Sequence, residues 1–430
     1  MIENIQEYLD DFFKGNKEPS LHAMQYFMNE YDNFERNMKF IHIAGTNGKG
    51  SCTEMLTNIL LKEGYKVGKF LSPHLIEYNE RISINNVNIS NEDLRNLIEE
   101  LEPKIEKYQK ENKTSITLFE LETTIALLYF YRNNVDFVVL ETGLGGKYDC
   151  TNIITKPLLS IITSIGYDHI QILGNTLEEI ATQKAGIIKE NSNTVIFENN
   201  KEINQIFIDT CGRKNNKLSI IRKEKIKNFH YDKNYQYFDY KELKNIAVNL
   251  KGICQIQNSA ICIESINILN KLGYKIKEES IRKGLSTVVH KGRMEEISKK
   301  PLIIYDGGHN EQAIRNLKTT INMYYKEENK IFIISILKRK DYSKMLELLM
   351  EEENSTFLLT SGNSEERYTS GEELYKVAKK FKKEEQNIAV KSLESAIEYV
   401  LDNALPDSVT FVVGSFYVYG DVVQKINKIL

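Results

Sequence analysis

The chain has 430 residues, 41% hydrophobic and 27% charged, a globular balance that excludes a disordered chain and asks for two or three domains. Its 57 Lys and Arg against 60 Asp and Glu leave a net charge of −3, which argues against a strongly basic nucleic-acid binder but leaves room for a local basic pocket. No apolar run reaches the roughly 18 residues of a membrane span.

In chain order, the acidic opening MIENIQEYLDDFF lacks the basic stretch of a signal peptide. MKFIHIAG, from Met38, is a short apolar run ending in glycine. Behind it Cys52, Met55, Leu56, Ile59 and Leu60 recur at helical spacing. KVGKFLS reads as a second strand candidate, DFVVLE (136–141) and PLLSIITSI (157–165) read as strands of the buried parallel kind, and Asn193–Phe197 is a further candidate. Segment 199–250 is polar and poorly periodic, and is expected to form peripheral short strands and loops. A second series has strands at 301–306, 331–336, 356–360 and 409–414, with amphipathic helical stretches between them. The hinge is expected at KGRMEEIS, 291–298. Strand–helix alternation predicts an α/β protein of two domains, 1–296 and 297–430. The five cysteines form no CxxC pair, so neither a disulfide framework nor a structural zinc site is expected, and a cytoplasmic location fits.

The strongest local signal is His42-Ile-Ala-Gly-Thr-Asn-Gly-Lys-Gly-Ser51, between a strand and a helix. That context makes it a phosphate loop. Gly45, Gly48 and Gly50 let backbone N–H groups turn inward, and the helix N-terminus adds partial positive charge. Lys49 supplies a point charge for the β- and γ-phosphates, and Ser51 a hydroxyl near a phosphate-bound cation. The spacing departs from GxxxxGK[ST], because Gly50 separates the lysine from the hydroxyl.

Ser72, Glu141 and His169 follow three of the strand candidates. Ligands in open parallel sheets bind beyond the carboxyl ends of the strands, so the three converge on one cleft. A hydroxyl, a carboxylate and an imidazole there can complete a shell around a phosphate-bound divalent ion; magnesium prefers oxygen ligands, and manganese tolerates the imidazole better. Lys184 shares a helical face with Leu177, Ile180, Ala181 and Ile188, which predicts a desolvated amine of lowered pKa, able to take up carbon dioxide as a carbamate.

GTNGKGS resembles the phosphate loop of the Mur ligase superfamily, and with His-Ile-Ala before it the chain resembles the folylpolyglutamate and dihydrofolate synthases. The likeness continues through Ser72-Pro-His-Leu75, Glu80-Arg-Ile82, 141–152, 168–189, Gly292-Arg-Met294, Asp306-Gly-Gly-His-Asn310 and Gly414-Ser415. It implies a P-loop NTPase-like parallel-sheet domain that binds ATP and folate, followed by a smaller Rossmann-like glutamate-ligase domain. ATP would lie on Gly45, Thr46, Asn47, Gly48, Lys49, Gly50 and Ser51, with Asn258 at the adenine, Asp306 at the ribose, and Arg293 and His309 near the phosphates. Ser72, Glu141 and His169 would hold one magnesium and a carbamylated Lys184 a second, with room for a potassium ion. Asp149, Phe119 and Arg81 would line the folate side. Ser415, expected to begin a helix, would serve the glutamate site or cap that helix. Lys147 and Tyr148 stand where the family usually has Arg and Leu, which weakens any bidentate contact from position 147.

These parts imply an ATP-dependent ligase joining L-glutamate to dihydropteroate or a tetrahydrofolate through an acyl phosphate, acting as a monomer. The alternatives are another Mur-superfamily amino-acid ligase and a P-loop NTPase switch. Only 44 residues precede Gly45, too few for the nucleotide-sugar domain expected of a peptidoglycan-precursor ligase. A switch would need neither a carbamylated lysine nor DGGHN.

Overall fold

Apolar runs without alternation become parallel strands covered on both faces. In the computed structural model, which describes residues 8–9, 20–364 and 366–429, the first eight strands are β1 (Phe40–Ala44), β2 (Val67–Phe70), β3 (Ile82–Ile84), β4 (Val87–Asn88), β5 (Phe137–Glu141), β6 (Leu159–Ile162), β7 (Asn193–Phe197) and β8 (Lys217–Ile221). They form one sheet of order β4-β3-β2-β5-β1-β6-β7-β8. Pairing from β2 through β8 is parallel, and β3 and β4 add an antiparallel edge. Every residue of β1 and β5 is buried.

The segment 199–250 differs from expectation. Residues Lys201–Arg213 form a helix capped by Asn200, whose side chain accepts from the Ile203 N–H, and Ile203, Phe207, Thr210 and Cys211 form its buried face. That spacing is helical, but the polar residues around it hide the stripe. Beyond β8, β9 (Ile226–Tyr231), β10 (Gln236–Tyr240) and β11 (Leu243–Val248) make a three-stranded sheet.

The last six strands are β12 (Glu295–Lys299), β13 (Leu302–Asp306), β14 (Asn329–Ile334), β15 (Ser355–Leu359), β16 (Asn387–Val390) and β17 (Ser408–Val413). Their order is β12-β13-β17-β14-β15-β16, parallel except for β12. The expected hinge therefore needs correction. Glu295–Lys299 pairs with β13, so a boundary at 296/297 would cut an edge strand out of its sheet. The chain divides into two compact units, one up to His230 with Tyr237–Asn249 and Ile256–Val288, the other Tyr231–Gln236, Leu250–Gln255 and Val289–Leu430.

Candidate active site

In the first unit β1 lies between β5 and β6, and the strand order reverses there. The carboxyl end of such a strand opens onto a crevice. The loop from Gly45 occupies it, and the helix Lys49–Glu63 starts directly behind, with Gly48 as its N-terminal flank at φ 88°. Cys52, Met55, Leu56, Ile59 and Leu60 fix this helix by full burial.

The loop is fastened to the segment after β6. Thr46 N donates to Ser164 O at 2.8 Å. The Thr46 hydroxyl donates to Gly166 O and accepts from Gly166 N. The Asn47 carbonyl accepts from the Thr163 hydroxyl at 2.6 Å and from the Ser164 hydroxyl at 3.1 Å. Gly45 is required because a Cβ there would lie 1.8 Å from Thr163 Oγ1. Thr163 and Ser164 escaped the sequence reading; hydroxyl residues followed by Gly166 at a strand's carboxyl end were the available signal.

Asn258, on the helix Ile253–Lys271, packs against the loop, and a Cβ on Gly48 would meet its Oδ1 at 2.6 Å. Gly48→Ala is therefore expected to cost about 1–2 kcal/mol for the left-handed backbone alone. It should also push Asn258 away. A thermal melt together with the ATP KM checks this: both should worsen, and a wild-type KM would mean that Asn258 does not reach the nucleotide.

Lys49 Nζ donates to Gly45 O at 3.1 Å and lies 3.9 Å from Glu141 Oε1. Glu141, 3% exposed, ends β5 beside it. Ser72 lies just beyond β2, the neighbour of β5. His169 takes φ 50° at the start of the short helix Ile170–Leu173, and its N–H donates to Asp168 Oδ1 at 2.9 Å. The four segments leave one edge of four adjacent parallel strands.

Lys184 lies on the helix Leu177–Ala185, buried with Ile180, Ala181 and Ala185. Ile188 is buried too, but beyond the helix end. Burial, and then repulsion from Lys49, lower the Lys184 pKa to about 7, while Asp168 and Asp149 act in the opposite sense. Its head is not in water; the residue is 3% exposed. Among the described residues no three His, Cys, Asp or Glu side chains gather as a metal site. A divalent ion here would take its remaining ligands from phosphate and water, which suits the open shell of magnesium. The oxygen-rich set at this edge fits such an ion.

Asp149 is buried and its carboxylate is already engaged. Oδ2 accepts from Leu144 N at 2.7 Å; Oδ1 accepts from Thr151 N at 3.1 Å and from its hydroxyl at 2.5 Å. Burial raises its pKa against these bonds. Because the Thr151 hydroxyl gives its proton to Asp149, it accepts from His42 Nε2 at 2.8 Å, which fixes the imidazole tautomer. Burial, and then Lys189, depress His42 to about 3, so the ring is neutral. Asp149 thus shapes the 143–152 loop, a role its sequence context did not reveal.

Phe119 lies in the first turn of the helix Leu118–Arg132, 5.8 Å from Phe70, and a Cβ on Gly143 would strike its ring at 2.5 Å. Arg81 donates from Nε to His74 Nδ1 at 2.9 Å and from NH1 to Glu122 Oε2 at 3.0 Å. The buried Glu122 was not anticipated.

In the second unit, Asp306 ends β13. Its oxygens accept from Met294 N and Gly308 N, and burial raises its pKa while Arg293 opposes the rise. The Arg293 guanidinium lies 4.4 Å from the Phe416 ring centre, and His309 stands edge-on to the same ring at 5.7 Å. His309 Nδ1 donates to Gly307 O, so Nε2 is the acceptor nitrogen of the neutral ring. Gly307 is needed because a Cβ would sit 2.3 Å from Phe416. Ser415 is corrected: the helix begins at Tyr419, and the Ser415 hydroxyl accepts from Tyr417 N and bonds the Tyr368 hydroxyl. It closes a turn and caps no helix.

A phosphate loop at the reversal point of one parallel sheet, with a second α/β unit presenting DGGHN, is the two-part plan of a Mur-type ligase. The Mur ligase middle domain model matches residues 43–266, and the Mur ligase glutamate ligase domain model matches 292–416. The chain belongs to the dihydrofolate synthase/folylpolyglutamate synthase family of these ligases. It is 34% identical to dihydrofolate synthase/folylpolyglutamate synthase of Bacillus subtilis over 81% of this chain and 82% of that one. The folylpolyglutamate synthase of Mycobacterium tuberculosis, solved with ADP and AMPPCP, superposes with a TM-score of 0.88 at 25% identity, covering 98% of this chain and 97% of that one. E. coli FolC, solved with DHPP and ADP, gives 0.85 at 25% identity over 98% and 97%. Among the described residues no helix is long and apolar enough to cross a membrane.

Proposed function

We propose that this chain uses ATP to join L-glutamate to the carboxylate of a folate, with dihydropteroate, a tetrahydrofolate polyglutamate or both as acceptor, and that it works as a monomer. The observation that carries this is the meeting of Lys49, Glu141 and the desolvated Lys184 at one sheet edge. A phosphate-binding cation, an oxygen ligand and an amine fit for carbamylation serve a ligase, whereas a simple switch has no use for the third. The names of its relatives support the same reading.

The reaction runs in two steps. A folate carboxylate oxygen attacks the γ-phosphorus of ATP, the bond to the β-phosphate oxygen breaks, and ADP leaves. The glutamate amine, having lost a proton, then attacks the acyl carbon, and inorganic phosphate leaves. Lys49 and the loop N–H groups between Gly45 and Ser51 hold and neutralise the phosphates. Asn258 would meet the adenine. Arg293, steadied on Phe416, would meet the phosphates, Asp306 the ribose and Ser415 the glutamate. Ser72, Glu141 and His169 would hold one magnesium ion and carbamylated Lys184 another; the bound ions would supply charge neutralisation during phosphoryl transfer. Excluding water from this edge protects the acyl phosphate from hydrolysis.

The experiment is phosphate release with ATP, magnesium and L-glutamate, comparing dihydropteroate, tetrahydrofolate and no acceptor. Release that needs both glutamate and a folate supports the ligase and identifies its acceptor. Release indifferent to both would replace it with an NTPase.

A further inference from the structure

Arg81 joins two segments that the sequence keeps far apart. Nε donates to His74 in the loop that follows β2, and NH1 donates to Glu122 on the helix Leu118–Arg132. Donation to Nδ1 makes that nitrogen the acceptor and leaves the His74 proton on Nε2. The His74 and Tyr78 rings lie 4.4 Å apart, and the Arg81 guanidinium is 5.8 Å from the Tyr78 ring centre. Glu80 fixes the rest of the loop by accepting from the Leu75, Ile76 and Glu77 N–H groups. Ser72 is carried at the head of this loop. Phe119, one turn before Glu122 on the same helix face, packs on Phe70 at the end of β2. The helix therefore grips the β2 strand and loop at two points, one aromatic and one ionic.

The ionic grip is costly. Glu122 is buried, its Oε1 finds no hydrogen-bond partner among the described residues, and burial raises its pKa to about 7 even against Arg81. A buried pair of this kind adds little to stability compared with well-packed apolar groups, so its value lies in fixing geometry.

We propose that Glu122 is a positioning residue which, through Arg81 and His74, fixes the Ser72–Glu77 loop against the helix that carries Phe119. Folate binding at Phe119 and the placement of Ser72 are thereby mechanically linked; this kinetic consequence rests on the ligase reading above.

The test uses the full chain with Glu122→Gln, His74→Ala and the pair together, followed by two readouts. Amide exchange of 71–80 needs no turnover. In Glu122→Gln it should quicken about ten-fold while the β1, β5 and β6 amides keep their protection. In wild type and variants that turn over, the folate KM should rise about ten-fold, with the ATP KM unchanged and kcat largely recovered at saturation. The double variant should be no worse than the worse single one, because both changes cut the same strut. Glu122→Asp should restore part of the KM. Unchanged exchange in Glu122→Gln overturns the strut. So does fully additive behaviour of the pair, or faster exchange with a wild-type folate KM. If wild type fails to turn over with any folate, the ligase reading falls, and the exchange result alone still decides the strut.

Discussion

Lys49→Ala is expected to lower kcat by about 10³-fold or more, with the fold intact. The side chain bridges the loop carbonyl of Gly45 and the neighbourhood of Glu141, where the transferred phosphoryl group would sit. Removing it takes a fixed cation from a site that must stabilise several negative oxygens, and water cannot replace a preorganised charge there. Its cost to folding should be small or negative. Lys49 stands in the first turn of a helix, where the dipole disfavours a cation, and it repels Lys184. Steady-state phosphate release and a thermal melt, run together, check both halves. A variant that keeps more than about one tenth of wild-type kcat would show that Lys49 does not face the reacting phosphate. Lys49→Arg keeps the charge but changes its reach and shape, and should recover only part of the loss.

The layout of this site was legible wherever one short segment carries the information. The apolar runs predicted β5 and β6 as buried parallel strands, β1 and β2 stood out as shorter strand candidates, and the glycine spacing after β1 predicted the tight turn into the helix that follows. The stripe of Ile180 and Ala181 predicted the burial of Lys184, although Ile188 completes its surroundings from outside the helix. Contacts made across long stretches of chain left no such trace. Thr163 and Ser164 clamp a loop more than a hundred residues earlier, and the hydroxyls before Gly166 mark the end of a strand without saying which loop they hold. Glu122 sits on a helix buried almost all round from Glu120 to Leu128, so no polar face stands out to mark it. The edge strands β12 and β16 were missed for another reason. They are short and half exposed, and their pairing depends on a neighbour rather than on an apolar run. Phe416 carries no mark of its own in the sequence, yet Arg293 and His309 are both arranged against its ring.

Lys184→Ala should also abolish turnover, and the reason is chemical as well as electrostatic. A lysine with its pKa lowered to about 7 is substantially neutral at cellular pH, and only the neutral amine adds carbon dioxide. Carbamate formation then reverses the local electrostatics. The field of Lys49, which disfavours an ammonium at Lys184, favours the carbamate anion in the same place. Enzyme stripped of carbon dioxide at low pH should therefore lose activity and regain it with bicarbonate, and short carboxylates should partly rescue Lys184→Ala. Full activity in that variant would end the carbamate idea. The same residue predicts a stability profile. In the folded chain Lys184 releases its proton near pH 7, whereas the unfolded chain holds it up to its ordinary value of 10.5. Between those limits the unfolded state binds more protons, so stability should rise with pH, by at most a few kcal/mol in all. The contribution is complete above 10.5 and is lost as pH falls through 7. Lys184→Met should flatten that part of the profile in denaturant titrations and be the more stable protein at pH 6. An unchanged slope would mean that the amine is solvated and carries its ordinary charge, and the second metal site would lose its anchor.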